Sequence, residues 1–109
     1  MGIIDKLTGT DINKEVERFR KTPGAVLLDV RTEDEYKKAH IPGSINIPEG
    51  EVQKLEMQVA DRNTPVFIYC LSGAKSWNAV NKLKELGYTN LKNIGGINKY
   101  TGKTESSLD

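Results

Sequence analysis

The chain has 109 residues and a mass of 12.1 kDa, the size of one ordinary domain. Hydrophobic residues make up 37% of it, enough for one core, and no apolar run approaches the ~18 residues that a membrane-spanning helix needs. With 16 basic and 15 acidic residues the formal charge is +1, which argues against a nucleic-acid glove and against a binder of acidic membranes. One cysteine excludes an internal disulfide framework, and with a single histidine beside it every common zinc arrangement is short of ligands.

Met1 to Lys6 has neither the cationic start nor the long apolar core of a signal peptide. Lys6 also stands where a myristoylation site wants Ser or Thr, so the expected location is cytoplasmic. Thr10 or Asp11 can cap a helix carrying Ile12, Val16 and Phe19 on one face, stopped by Pro23-Gly24. Ala25 to Val30 is a continuous apolar run of the kind found in strands buried on both faces. Thr32-Glu33-Asp34-Glu35 is a capping box that opens a short helix through about Ala39. His40-Ile41-Pro42-Gly43 predicts a turn and Ser44 to Ile47 a strand. After Pro48 a helix is expected, with Val52, Leu55 and Val59 on one face.

Val66 to Cys70 is the second strongly apolar strand, rich in β-branched and aromatic residues. A loop containing Gly73 leads into a helix from about Lys75 to Leu86, with Gly87 at the place of a left-handed cap. Leu91 to Ile94 is a last strand, ended by Gly95-Gly96. From Thr101 the tail is polar and expected to fray. The reading is one domain over 1–109, with a core over about 8–100 and a polar tail over 101–109. Strands separated by helix-length segments imply a parallel sheet with helices on both faces, and such sheets bind ligands at the carboxyl ends of their strands.

Two sequences fall at such ends, Asp29-Val30-Arg31 and Cys70. Cys70 ends a buried strand and is followed by Leu71, Ser72, Gly73, Ala74, Lys75 and Ser76, which run into a helix. Backbone N–H groups of a turn and of a helix's first residues converge on the centre of such a loop. Gly73 lets the backbone curl, Ser72 and Ser76 add hydroxyls, and Lys75 adds a positive charge. Such surroundings favour a thiolate, the nucleophilic form of cysteine. The competing reading is a cysteine that merely fills the core, as buried cysteines often do. A filler has no need of glycine, hydroxyls and a cation beside it.

The segments L-L-D-V-R-T-E-D-E-Y, H-I-P-G-S-I-N-I-P, V-F-I-Y-C, C-L-S-G-A-K-S, L-K-E-L-G-Y and I-G-G-I-N-K-Y, in this order and spacing, resemble the single-domain rhodanese family over about residues 8 to 100. The resemblance implies a three-layer α/β domain with a central, mostly parallel sheet of about five short strands and helices on both faces. It implies a sulfurtransferase with no cofactor and no metal. Cys70 would be the catalytic residue, carrying a sulfane sulfur as a persulfide from a donor such as thiosulfate to a thiol or cyanide. A sulfur-carrier protein is a further candidate partner. Leu71, Ser72, Gly73, Ala74, Lys75 and Ser76 would form the substrate-binding loop.

The expected partners include no nucleic acid and no membrane, and the expected state is a monomer or weak homodimer. Lys75 falls where the family often has arginine, and offers a point charge in place of a bidentate fork. Phosphatases and arsenate reductases on related folds use Cys-x5-Arg, and here Ser76 occupies the sixth position, so that chemistry lacks its arginine. A non-catalytic or weakly catalytic module of the same family, carrying sulfur or binding a protein, is the alternative.

Asp29 and Arg31 are expected to support the site by tying loops together, with Arg31 also able to lend positive potential to its mouth. His40, the only histidine, reads as a turn residue first and as a partner of Cys70 second. Trp77 lies off the core face of its helix and fits either a docking anchor or a side chain half-covered by a neighbouring loop. Tyr100 stands near where the family commonly has tryptophan, a change that would bear on the pocket wall.

Overall fold

The computed structural model describes residues 10–107; the reading of Met1 to Lys6 lies outside them. Asp11 caps helix α1 (Ile12–Arg20) by accepting the Asn13 N–H on its side chain. Strand β1 (Val26–Asp29) is followed by α2 (Glu33–Lys38), whose capping box is complete: Thr32 accepts the Glu35 N–H while Glu35 accepts the Thr32 N–H. Strands β2 (Ser44–Asn46) and β3 (Val66–Cys70), helix α3 (Ala74–Glu85) and strand β4 (Leu91–Gly96) complete the main elements. The strands form one sheet in the order β2-β1-β3-β4, parallel at every pairing.

The continuous apolar runs are explained by a strand's two-residue period acting under two helical layers. Leu28, Val30, Val66, Ile68 and Cys70 face α3 and the segment after β2, meeting Val52, Leu55, Ala79, Val80 and Leu83. Leu27, Phe67, Tyr69 and Ile94 face the other way, onto Ile12 and Val16 of α1. Burying each such aliphatic side chain is worth about 1.5–3 kcal/mol. Parity therefore sends Cys70 toward α3 and its neighbour Tyr69 toward α1.

Three expectations are corrected. The sheet has four strands among the described residues, not about five, because the sequence offers four apolar segments of strand type there; beyond them lies only an isolated antiparallel bridge between His40 and Glu105. The segment after Pro48 is a 3-10 helix over Glu49–Met57, kinked at Glu51. Gly50 weakens an α-helix there, and Val52 and Leu55, three apart and both buried, suit the tighter turn. The tail does not fray over the described residues. Thr101 donates its N–H to Asn13 Oδ1 at 2.9 Å, His40 and Glu105 exchange N–H···O bonds of 2.8 Å each, and the Ser107 N–H reaches the Lys37 carbonyl at 2.7 Å.

Tyr69 closes a buried ring of bonds on the α1 side. Its oxygen accepts the Ile41 N–H at 3.1 Å, its hydroxyl donates to Ser44 Oγ at 3.2 Å, and Ser44 donates to the Ile41 carbonyl at 2.7 Å. Burial, reinforced by the charge of Asp29, pushes the Tyr69 hydroxyl above its ordinary value of 10.0. The neutral phenol is thus the form the fold stabilises. That contribution is complete below about pH 10 and is lost as the pH rises beyond it, toward the higher value of the folded state. Tyr69→Phe is expected to cost about 1–3 kcal/mol at neutral pH, since it strands the buried Ile41 N–H. Urea melts should show this gap between variant and wild type narrowing above about pH 10. A gap that stays constant or widens there would contradict the assignment.

Candidate active site

Cys70 is the last residue of β3 and is 1% exposed. Gly73 follows in the left-handed region (φ 103°) and starts α3 with no side-chain cap, so the first-turn N–H groups of the helix face the loop. Two of the loop's backbone donors meet the sulfur: the Gly73 N–H lies 2.9 Å from Sγ and the Ser76 N–H 3.4 Å. The Cys70 thiol also lies 3.5 Å from Ser76 Oγ. The two backbone N–H groups converge on the sulfur, the arrangement that stabilises negative charge.

The structure brings only part of the predicted loop onto the sulfur. Gly73 and Ser76 are buried against it; Leu71, Ser72, Ala74 and Lys75 are exposed. Leu71 contributes through its backbone, its carbonyl accepting the Asn98 N–H at 3.1 Å, while its side chain is 52% exposed. Ser72, Gly73 and Ala74 also form part of the wall of an open cleft of about 930 Å³, with Trp77, Asn93 and Lys99 among its other residues. Cys70 is not on that wall. Trp77 is half-buried against the α3-side core while facing this cleft. Tyr100 packs on the α1 side and its hydroxyl donates to the Lys103 carbonyl at 3.1 Å; it does not line the cleft.

Asp29 and Arg31 form a buried pair. Arg31 Nη2 lies 2.7 Å from Asp29 Oδ2, Nε lies 3.1 Å from both carboxylate oxygens, and the Arg31 N–H donates to Oδ1 at 2.8 Å. Nη2 also donates to the Ala39 carbonyl at 2.6 Å, joining the end of β1 to the end of α2. Burial works against the Arg31 charge, but the hydrogen bonds and attraction of Asp29 outweigh it and the guanidinium is raised above its ordinary value. Glu35 is lowered, first by the Thr32 N–H and more weakly by the charges of Arg31 and Lys75. The N-terminus of α2 thus lies within the field of both cations.

His40 is turned away from the chemistry. Its ring stacks on Tyr36 with centroids 3.8 Å apart, Nδ1 is 2.7 Å from the Tyr36 carbonyl, and Nε2 is 3.8 Å from Glu105. No group of three or more His, Cys, Asp or Glu side chains placed to hold a metal occurs among the described residues.

Two residues of the site escape a reading of the sequence. Gly96 pairs with Cys70 in the sheet register and lies under the loop. A Cβ there would overlap the Leu71 carbonyl oxygen and stand 2.5 Å from Ser72 Cα. Asn93 is the other. Its Oδ1 accepts the Gly95 N–H at 3.0 Å and lies 2.7 Å from Ser76 Oγ, while Nδ2 donates to the Gly73 carbonyl at 3.1 Å. The signal for both lies in N-I-G-G: Ile68 pairs with Asn93 and Tyr69 with Gly95, so Ile94 is an extra residue, and bulges of this kind re-aim side chains beside sites.

This is a three-layer α/β fold that holds a lone cysteine under backbone donors at the carboxyl end of a central strand. Residues 13–103 match the family model of the rhodanese-like domain, and the chain belongs to this family. It is 41% identical over 71 residues to the thiosulfate sulfurtransferase PspE of Escherichia coli, an alignment covering 64% of this chain and 68% of that protein. It is 42% identical over 80 residues to the "Putative sulfur carrier protein YrkF" of Bacillus subtilis, covering 72% of this chain but only 43% of that longer relative. Among solved structures, a rhodanese with anions from E. coli superposes with a TM-score of 0.70 at 35% identity, over 75% of this chain and 98% of the other. The expectation of a rhodanese fold is thereby met.

Proposed function

We propose that this chain is a sulfurtransferase that moves sulfane sulfur from thiosulfate, or from a persulfide donor, to a thiophilic acceptor through a persulfide on Cys70. The observation that carries the reading is the buried sulfur at the end of β3 with the Gly73 N–H aimed at it from 2.9 Å. In the first step the Cys70 thiolate attacks the outer sulfur of thiosulfate. A new S–S bond forms, the bond to the sulfonate sulfur breaks, and its electron pair leaves with sulfite. In the second step an acceptor thiolate or cyanide attacks the outer sulfur of the persulfide, and the Cys70 thiolate departs. Charge is conserved in both steps and no external oxidant or reductant is required. Loop N–H groups stabilise the anionic sulfur throughout. Lys75, exposed on the first turn of α3, supplies a point charge for the donor's sulfonate oxygens. The chain's only thiol has no partner within the chain for a disulfide, which suits a reducing compartment, and the proposed setting is the cytoplasm.

The test is an intact mass after incubation with thiosulfate and removal of the excess. Wild type is expected to gain the mass of one sulfur atom and Cys70→Ser to gain nothing. No gain on wild type, or the same gain on the variant, sinks the reading. The likeness to YrkF favours a second reading, a carrier that holds sulfur without efficient turnover. A Cys70-dependent conversion of thiosulfate and cyanide to thiocyanate would exclude it; loading without turnover would establish it.

A further inference from the structure

The loop that holds Cys70 has a weak point at its centre. Gly73, in the left-handed region, carries the donor nearest the sulfur, and no side chain caps the helix it begins. Glycine has the largest freedom to rotate away. Beside the Trp77 N–H and the Ser76 hydroxyl of its own helix, a restraint on it comes from another strand: Asn93 Nδ2 holds the Gly73 carbonyl, and Asn93 Oδ1 lies within bonding distance of Ser76 Oγ. The orientation of the carboxamide is settled by its partners, because exchanging its oxygen and nitrogen would set a donor against the Gly95 N–H and an acceptor against the Gly73 carbonyl. Ser76 is fully buried and has one hydroxyl proton for two acceptors, Asn93 Oδ1 at 2.7 Å and the Gly73 carbonyl at 2.9 Å. Either choice leaves a lone pair of Oγ for the Cys70 S–H, 3.5 Å away.

We infer that Asn93 is a positioning residue for the sulfur transfer: its carboxamide, fixed on the bulge of β4, holds the Gly73 carbonyl at the start of α3 and accepts the Ser76 hydroxyl, and so fixes the backbone of Gly73 and the side chain of Ser76 around Cys70. It does not touch the sulfur and acts through those two residues. The inference rests on the sulfurtransferase reading for its place in a reaction, and on geometry alone for its effect on Cys70.

Two rates test it, sulfur loading from thiosulfate and alkylation of Cys70 by iodoacetamide, each at matched pH. Asn93→Ala is expected to slow both by about five- to tenfold, the loss of one half-buried polar clamp. Asn93→Asp discriminates this role from a merely structural one. A neutral carboxyl can still donate to the Gly73 carbonyl and accept from Gly95 and Ser76, whereas a carboxylate cannot donate. The rate of Asn93→Asp relative to wild type should therefore climb toward unity as the pH falls from about 8 to about 5, through the range of a desolvated carboxyl. An Asn93→Ala protein that reacts as fast as wild type or faster, or an Asp-to-wild-type ratio independent of pH, would overturn the inference. Should Asn93→Ala fail to give a cooperative thermal melt, the pH profile of Asn93→Asp decides alone. A wild type that is alkylated but never loaded would defeat the sulfurtransferase reading, and the alkylation rates would still judge Asn93.

Discussion

Gly96→Ala is expected to lower sulfur transfer at least tenfold and to destabilise the fold by about 1–3 kcal/mol, the usual cost of forcing extra volume into a packed site. The backbone of Gly96 is ordinary extended chain (φ −122°, ψ 141°), so any residue could adopt it. What excludes a side chain is space. The added methyl group would overlap the Leu71 carbonyl oxygen and press on Ser72 Cα and on Asn98 Oδ1, 2.5 and 2.7 Å away. The first two are backbone and cannot swing aside. The Leu71 carbonyl is held by the Asn98 N–H, so the loop must either break that bond or lift from β4 as a unit. Both outcomes move the Gly73 N–H relative to the sulfur. Gly50→Ala is the control, because a Cβ there meets nothing within 4 Å. Steady-state rates and thermal melts of the two variants check the argument; a Gly96→Ala protein with wild-type rate and melting temperature would show that the close approach of loop and strand is dispensable.

Arg31→Ala is expected to be strongly destabilising. The Asp29 carboxylate is fully buried and receives three of its four donor contacts from the Arg31 guanidinium. Truncation leaves an anion inside the protein without the three guanidinium contacts that balanced it. Breaking a buried pair in this way costs about 3–5 kcal/mol, and for a domain of this size the melting temperature should fall by about 12 °C or more. Removing both charges is a milder change than removing one, so Asp29→Asn combined with Arg31→Met should recover part of the loss. Chemical denaturation of the three proteins measures this. A loss under about 1 kcal/mol in Arg31→Ala would mean that the carboxylate finds another partner or water. Corrected for the folded fraction, sulfur transfer by Arg31→Ala should persist, because the pair's hydrogen bonds go to each other and to Ala39, with none to the cysteine loop.

The fold was legible wherever a periodic pattern met a layer. Val66 to Cys70 reads as a doubly buried strand because all five residues are buried and alternate between two helical layers. The capping box at Thr32 and the glycine at position 73 mark helix starts by local chemistry alone. Asn93 and Gly96 were not legible, since each depends on a loop more than fifteen residues earlier in the chain. A polar residue in an edge strand looks solvent-facing, and two glycines look like a strand's end, until the bulge at Ile94 and the loop lying on Gly96 are known. The tail misled for a similar reason: polar composition carries no sign that backbone bonds to His40 and Lys37 await it.

Helix α2 buries none of its six residues fully, so little of what keeps it wound comes from the cores. Its start is tied by the Thr32–Glu35 box, while Tyr36 bonds the Ser44 carbonyl and stacks on His40. Its end is tied by Arg31 on Ala39 and by Ser106 and Ser107 on Lys37. A helix this short does not persist in water unaided. Its winding is therefore on loan from the neighbouring exit of β1 and from a segment about seventy residues later, at the last described stretch of chain. With so few buried apolar groups, its amides should exchange ahead of those of the sheet that carries Cys70.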